Sequence, residues 1–371
     1  MKYIFVIQGE GRGHLTQAMT LERLLLANGH EVVAMLVGKS KSRVLPAFFE
    51  KGVKAPVSFF ESVNFLSSPD NKRPDMIGSI FYNAAVSAKF LPSVNLIREA
   101  IRDSHADVVV NFYEMLCSTA CRLSKAPMIC VGHQFLFLKK GFNIPEVGYE
   151  GHLGLNLFSK AIAAGARKVL ALSFRNMPDD PDGKIRVMPP LLRPEVLAYR
   201  NADGSPAPGL VDGDYILGYM LNAGFSEEIL KWHAERPEVP LRFFWDKVEE
   251  APVKVVDDTL SFHYLDDSLF LEMMASCKAY ASTAGFESIC EAMYLGKPLL
   301  MVPSHIEQKC NAFDATKGPC LPEGVRPAIS SDKFMISELL DFAENGFAAD
   351  TAFPAWARSA EKAFIRELTE L

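Results

Sequence analysis

Two doubly wound α/β domains of similar size, facing each other across a cleft, are predicted for this chain of 371 residues. Three observations carry that expectation. Short, β-rich, wholly apolar runs alternate with helix-like stretches in both halves, which is the pattern of strands buried on both faces of a parallel sheet. A segment rich in proline and glycine interrupts the alternation once. The length also exceeds what one hydrophobic core usually spans.

In the first half, residues 2–7 (KYIFVI) read as a buried strand. Residues 15–28 follow as a helix with Ala18, Leu21, Leu24 and Leu25 on one face and Gly29 as its stop. Residues 31–37 (EVVAMLV) read as the next strand, completing a βαβ unit. The pattern recurs as strand 107–113 (DVVVNFY), helix 114–124 and strand 128–133, with further strands at 168–174 and 186–191. Residues 189–213 hold five prolines and three glycines, the expected linker. After it, strands are expected at 214–221, 240–245, 259–264, 278–282 and 298–303. Helices are expected at 226–236, 267–276, 286–295 and 305–313. The tail is helical from 332, with Trp356, Ala360, Phe364 and Leu368 forming one apolar stripe. The boundaries are therefore 1–192 for the first domain, 193–213 for the linker and 214–345 for the second domain. A final helical segment, 346–371, is expected to cross back to the first.

Composition narrows the function. Apolar residues make up 49% and charged residues 23%, and the formal net charge is −6. A broad basic footprint for nucleic acid is not suggested. The seven cysteines form no CxxC pair and no zinc-site spacing, which suits reduced thiols in the cytoplasm. Cys117 and Cys121, one helical turn apart, read as core packing. The apolar start of the chain is too short for a signal peptide, and no run reaches the ~20 apolar residues of a membrane span.

The stretch GEGRGHLTQAM (residues 9–19) sits at a strand end and a helix start, where ligands of such sheets bind. Gly9, Gly11 and Gly13 let a backbone approach a polar ligand. A dinucleotide fingerprint fails at position 14, which is His, and lacks an acid after the second strand. A P-loop ending at Gly38-Lys39-Ser40 fails at Val33. A loop delivering His14 as a base, or a plain tight turn with a surface histidine, both remain.

Residues 281–312 (ASTAGFESICEAMYLGKPLLMVPSHIEQKCNA) say more. Thr283, Ala284 and Gly285 make a small-residue turn at a helix start, suited to a diphosphate bound by backbone N–H groups. Ser288 and Glu291 are expected to be exposed on the early turns, and the Glu291 carboxylate suits a vicinal diol. Glu307 and Gln308, at the next helix start, suit sugar hydroxyls.

This stretch resembles the donor-binding signature of the GT-B glycosyltransferases. The likeness is to the UDP-glycosyltransferases and to family 28, which includes the N-acetylglucosaminyltransferase of peptidoglycan synthesis. Gly285, Ser288, Glu291, Ala292, Gly296, Pro298, Pro303, Glu307, Gln308, Asn311 and Ala312 fall in register with it. FHYLDD (262–267), with Tyr264 and Leu265, resembles the segment whose backbone holds the uracil. Residues 9–14 and the following GHEV (29–32) resemble the N-terminal signature, in a glycine-loop variant of a further glycosyltransferase-like branch. Two departures stand out: Thr283 where several relatives carry His or Arg, and Glu307 where Asp is usual.

The resemblance implies transfer of a sugar from a UDP-sugar to an acceptor hydroxyl with inversion, His14 taking the proton. UDP would be held by backbone near Thr283–Gly285 and near Asn222 and Gly224. Glu114 would orient His14 or bind the acceptor, unless it is a solvated helix-start carboxylate. His133 and Gln134 would line the acceptor side, with a buried structural histidine as the other reading. No cofactor and no metal are expected, since the DD pairs at 179–180, 257–258 and 266–267 make no Asp-x-Asp motif. Residues 135–142 (FLFLKKGF) read either as a membrane-surface loop or as core followed by a solvated turn. The first reading would suit a lipid-linked or cell-envelope acceptor and a peripheral place at the inner face of the membrane. A UDP-sugar 2-epimerase and a non-catalytic nucleotide-sugar-binding protein are the alternatives.

Overall fold

The computed structural model describes residues 1–41, 45–63, 66–67, 74–75, 87–142, 149–201, 204–220, 223–245, 251–318 and 321–370. The chain forms two compact units, Met1–Arg193 with Trp356–Leu371, and Pro194–Ala355. It therefore passes between them twice.

In the first unit, β1 (Lys2–Gln8), β2 (Glu31–Lys39) and β3 (Val57–Glu61) are followed by a two-residue antiparallel ribbon, β4 (Leu66–Ser67) and β5 (Pro74–Asp75). Then come β6 (Val108–Phe112), β7 (Met128–Gly132), β8 (Lys168–Leu172) and β9 (Ile185–Met188). The main sheet runs β3-β2-β1-β6-β7-β8-β9 and every pairing is parallel. The central strands are buried residue for residue, as all-apolar runs require. The helix Leu91–Ser104 covers one face through Val94, Ile97 and Ile101.

In the second unit, the strands are β10 (Ile216–Met220), β11 (Leu241–Trp245), β12 (Val253–Val255), β13 (Leu260–Tyr264), β14 (Ala279–Ser282), β15 (Leu299–Met301) and β16 (Ala328–Ser330). Their order is β12-β13-β11-β10-β14-β15-β16, parallel except for the β12 edge. Both sheets are thus of the doubly wound parallel type that the sequence predicts.

The structure differs from the expected linker. Residues after Arg193 lie on the second unit. Leu197 O accepts from the Tyr294 hydroxyl at 3.2 Å, and Arg200 donates to Leu295 O at 3.2 Å. Gly213 N donates to Ser276 O at 2.7 Å. Prolines and glycines turn this segment, and Val196 is buried while Val211 stays exposed. The tail also differs, since Ser359 separates two helices, Phe353–Arg358 and Ala360–Thr369.

The last helix is fixed to the first unit by charge as well as by Phe364 and Leu368. Glu367 is buried and pairs with Lys168 Nζ at 3.1 Å and Arg186 Nε at 3.7 Å. The Tyr3 hydroxyl donates to Leu368 O at 3.1 Å. The cations are partly exposed and Arg186 also pairs with Asp179, so what Glu367 adds is its own charge-assisted hydrogen bond and ion pairs. Glu367→Ala should therefore cost about 2 kcal/mol, the worth of a hydrogen bond to a charged group, and speed amide exchange across Ala360–Thr369, as read by hydrogen-exchange mass spectrometry.

Candidate active site

Strand order reverses at β1/β6 in the first sheet, the position where open parallel sheets bind ligands beyond their carboxyl ends. The chain leaves β1 through Gly9. Its N–H donates to Gly38 O at 2.8 Å. A Cβ at Gly9 would stand 2.6 Å from Val37 Cγ1 and 2.9 Å from Gly38 O, so the close approach of this turn to β2 demands glycine. Glu10 accepts from the Ser40 N–H and ties the turn to the end of β2. Gly11 is the extended N-cap of the helix Arg12–Ala27. Gly13 and His14 therefore lie in the first helical turn, three residues earlier than the sequence suggests, and a helix rather than a loop presents the imidazole.

His14 is 8% exposed. Its Nδ1 lies 3.3 Å from Gln17 Oε1, and its Nε2 lies 3.4 Å from Gln134 Nε2. An amide oxygen only accepts, so Nδ1 carries the proton and Nε2 keeps the lone pair. The ring stacks on Tyr113, centroids 5.6 Å apart and planes 19° apart. Burial lowers the His14 pKa from 6.5 to about 4, with the Gln17 hydrogen bond opposing. The imidazole is neutral at physiological pH.

Glu114, just past β6, is buried and caps the helix Met115–Ser124. It accepts from Cys117 N at 2.9 Å and from the Ser62 hydroxyl. Asn111 holds the turn, donating to Glu114 O at 3.0 Å and accepting from Glu114 N at 2.7 Å. Glu114 is therefore not the solvated carboxylate that a helix start suggests. Its hydrogen-bond partners are Ser62 and the helix end, whereas those of His14 are the two glutamines. Burial raises the Glu114 pKa from 4.5 to about 7, against the pull of the Ser62 and backbone hydrogen bonds.

His133 opens the helical turn His133–Leu138 after β7. It is buried, with Nδ1 2.8 Å from Leu172 O and its ring between Phe137 and Phe174. The adjacent Gln134 reaches His14 instead. Phe135, Leu136 and Phe137 are buried, so the apolar part of 135–142 is spent on the core and only Lys140 and Gly141 are exposed. This is the core-and-turn reading of that segment.

In the second unit the order reverses at β10/β14. Asn222 lies outside the described residues. Gly224 is exposed in the short turn Ala223–Phe225. Beyond β14, Thr283 N donates to Tyr219 O at 3.4 Å, and Gly285 N donates to Thr283 O at 2.7 Å. Thr283 and Ala284 are buried, and Asn311 Nδ2 donates to Ala284 O at 2.8 Å, fixing the turn from the neighbouring helix. Gly285 is the N-cap of Phe286–Leu295 with no side chain capping it, and a Cβ there would find no atom closer than 3.9 Å. First-turn N–H groups have no partner within their own helix, so this open turn suits an anion.

Ser288 is half-buried and donates to Gly285 O at 3.3 Å. Glu291, expected to be exposed, is 3% exposed. The reason is that Ile289 through Leu295 are all buried, so this helix runs inside the unit after its first turn. Glu307 is half-buried in the first turn of Ile306–Lys317. Gln308 Oε1 accepts from Ser304 N and Oγ, both at 2.8 Å, which leaves its amide group as the donor. Tyr264, 40% exposed, and Leu265 close β13.

Sequence reasoning missed Tyr113, Gln17 and Ser62. The DD pairs have structural work: Asp266 caps a helix through Leu269 N at 2.8 Å, Asp257 pairs with His233 at 2.9 Å, and Asp179 with Arg186 at 3.0 Å. Among the described residues, no group of three or more His, Cys, Asp or Glu is placed to hold a metal, and no helix is long and apolar enough to cross a membrane.

Two doubly wound parallel sheets, each with polar groups at its switch point, define the architecture of a GT-B glycosyltransferase. The chain belongs to glycosyl transferase family 1, whose pattern it matches over residues 1–317. Its fold is similar to that of UGT2 from Phytolacca americana, solved with UDP-2-fluoro-glucose and pterostilbene, at 13% identity and a TM-score of 0.62. The alignment covers 100% of this chain and 98% of that one. The glycotransferase of kitacinnamycin is similar at 15% identity and TM-score 0.61, over 100% and 98% of the two chains. MurG from Acinetobacter baumannii is similar at 14% and 0.54, over 100% of both. No curated protein matches the sequence.

The Glu114 carboxyl gives a signed test. Its folded pKa of about 7 lies above the unfolded 4.5. Its contribution is intact below pH 4.5 and is lost as pH rises through 7. Glu114→Gln keeps an acceptor for Cys117 N and an amide for Ser62. The variant should match the native unfolding free energy near pH 4 and exceed it at pH 8, by on the order of 3 kcal/mol at most, as read by denaturant melts.

Proposed function

We propose that this glycosyltransferase uses a UDP-sugar and transfers the sugar to an acceptor hydroxyl with inversion and without a metal, His14 serving as the base. The observation that carries this reading is the state of His14: buried, uncharged, with Nδ1–H committed to Gln17 so that Nε2 keeps its lone pair. A positioned base contributes ~10²–10⁴ in rate. Burial makes the imidazolium costly, and the base is accordingly a weak one. Attack on an oxocarbenium-like sugar carbon needs little prior deprotonation of the nucleophile, so the proton can pass late.

On this reading the acceptor oxygen bonds to the anomeric carbon as the bond to the diphosphate breaks, and the leaving oxygen takes the electron pair. The acceptor proton passes to His14 Nε2, with Gln134 displaced from that nitrogen. The departing charge goes to the backbone N–H groups at the start of Phe286–Leu295. Gly224 contributes backbone from the adjoining turn, while Tyr264 and Leu265 contact the base of the nucleotide. Ser288, Glu307 and the Gln308 amide meet donor hydroxyls. Glu291 would reach the ribose from the second turn of Phe286–Leu295. Support comes from family membership across residues 1–317 and from the UDP and UDP-2-fluoro-glucose bound in similar structures. The acceptor class is left to experiment.

A thermal-shift panel of nucleotides and UDP-sugars tests the donor, since a ligand at ~100 times its Kd adds ~2.7 kcal/mol. His14→Ala should abolish transfer and leave the UDP-induced shift intact. Retained transfer, or a lost shift, would refute the assignment. Because His14 stays neutral down to about pH 4, kcat/KM should not show a limb at 6.5 arising from this residue. A His14 ring resonance that titrates near 6.5 would contradict burial as the control of its charge.

A further inference from the structure

We propose that Tyr113 is the positioning residue of the first site: a left-handed backbone lays its ring along the His14 imidazole, and Ser159 anchors that ring from the helix Tyr149–Ile162. The proposal rests on the reading of His14 as the base. Its evidence is independent of that reading.

Three non-glycine residues among those described have positive φ: His105 at 49°, Tyr113 at 59° and Lys125 at 55°. His105 and Lys125 are C-caps of helices, where one left-handed residue is the ordinary way to stop. Tyr113 ends no helix. It stands between β6 and the N-cap Glu114, at the reversal of strand order. A bulky residue in this conformation is strained, and such strain persists where the surroundings over-determine it.

Those surroundings are specific. The Tyr113 hydroxyl lies 2.6 Å from Ser159 Oγ, and the ring meets Phe135 and Phe158 at centroid distances of 5.2 and 5.8 Å. It also stacks near-parallel on His14. The ring thereby keeps water from one imidazole face and sets the ring plane in which Gln17 and Gln134 meet the two nitrogens. Among the described residues, the side chains that meet His14 are Gln17 from its own helix, Tyr113 from the β6 turn and Gln134 from the turn after β7. Neither a carboxylate nor a cation is among them, so the charge state of His14 depends on exclusion of water.

The test follows the His14 Cε1–H resonance through a pH titration of the full chain with 13C-labelled histidine. Tyr113→Leu should move the His14 titration upward by at least about one pH unit, toward 6.5. The same variant should lower kcat about tenfold or more and leave UDP binding unchanged. Titration at the native position in a folded Tyr113→Leu would overturn the proposal. Tyr113→Phe and Ser159→Ala keep the ring and provide the second arm. Each should shift the His14 resonance by a similar amount, and the double variant by no more than either. No shift in either overturns the proposal as surely. His14→Ala separates the two ideas: transfer that survives it defeats the base reading, whereas the titration still decides whether Tyr113 positions the ring.

Discussion

Parallel pairing is the constraint on which both sites depend. A strand that runs parallel to its neighbour must be reached by a crossover, so each crossover brings the chain back to the same end of the sheet. All the loops that follow strands therefore gather on one edge. In the first unit β1 leads outward to β2 while β6 leads outward to β7, and the turns after β1 and β6 are left side by side. That is how His14 and Tyr113, almost a hundred residues apart, come to stack. In the second unit the same reversal leaves the turns after β10 and β14 adjacent, and the Thr283 N–H reaches Tyr219 O.

Burial then assigns the electrostatics. His14 and Glu114 both lie inside the first unit, and burial acts on them in opposite directions, lowering the histidine and raising the glutamate. Both shifts favour the uncharged form. His14 thus stands uncharged among a phenol and amides. The turn at Thr283–Gly285 opens a helix that has no capping side chain at its N-terminus, where first-turn N–H groups lack intrahelical acceptors. One site suits a hydroxyl, the other an anion.

The strands were readable because buried strands of parallel sheets are apolar throughout, and DVVVNF and MICVG are plain examples. The edge strand β3, half exposed, lacks that signature, and so does the short, exposed β12. The glycine turn, His14 and the 283–285 turn were legible because their residue types are unusual at a strand-to-helix junction. Glu291 was misplaced because a carboxylate on a helix is ordinarily on its wet face, and only the packing of the whole helix shows otherwise. Tyr113 was invisible for a deeper reason: nothing in DVVVNFYEM announces a left-handed tyrosine. Gln17 and Ser62 acquire meaning only from what the fold sets beside them.

The central claim is a division of labour, with nucleotide binding at the second switch point and proton transfer at the first. Hydrogen exchange of the full chain with and without UDP tests it most directly. The account predicts that the largest added protection falls on residues 283–288 and 223–225. Protection centred instead on Gly9–His14, with 283–288 unchanged, would place the nucleotide in the first unit and contradict the account.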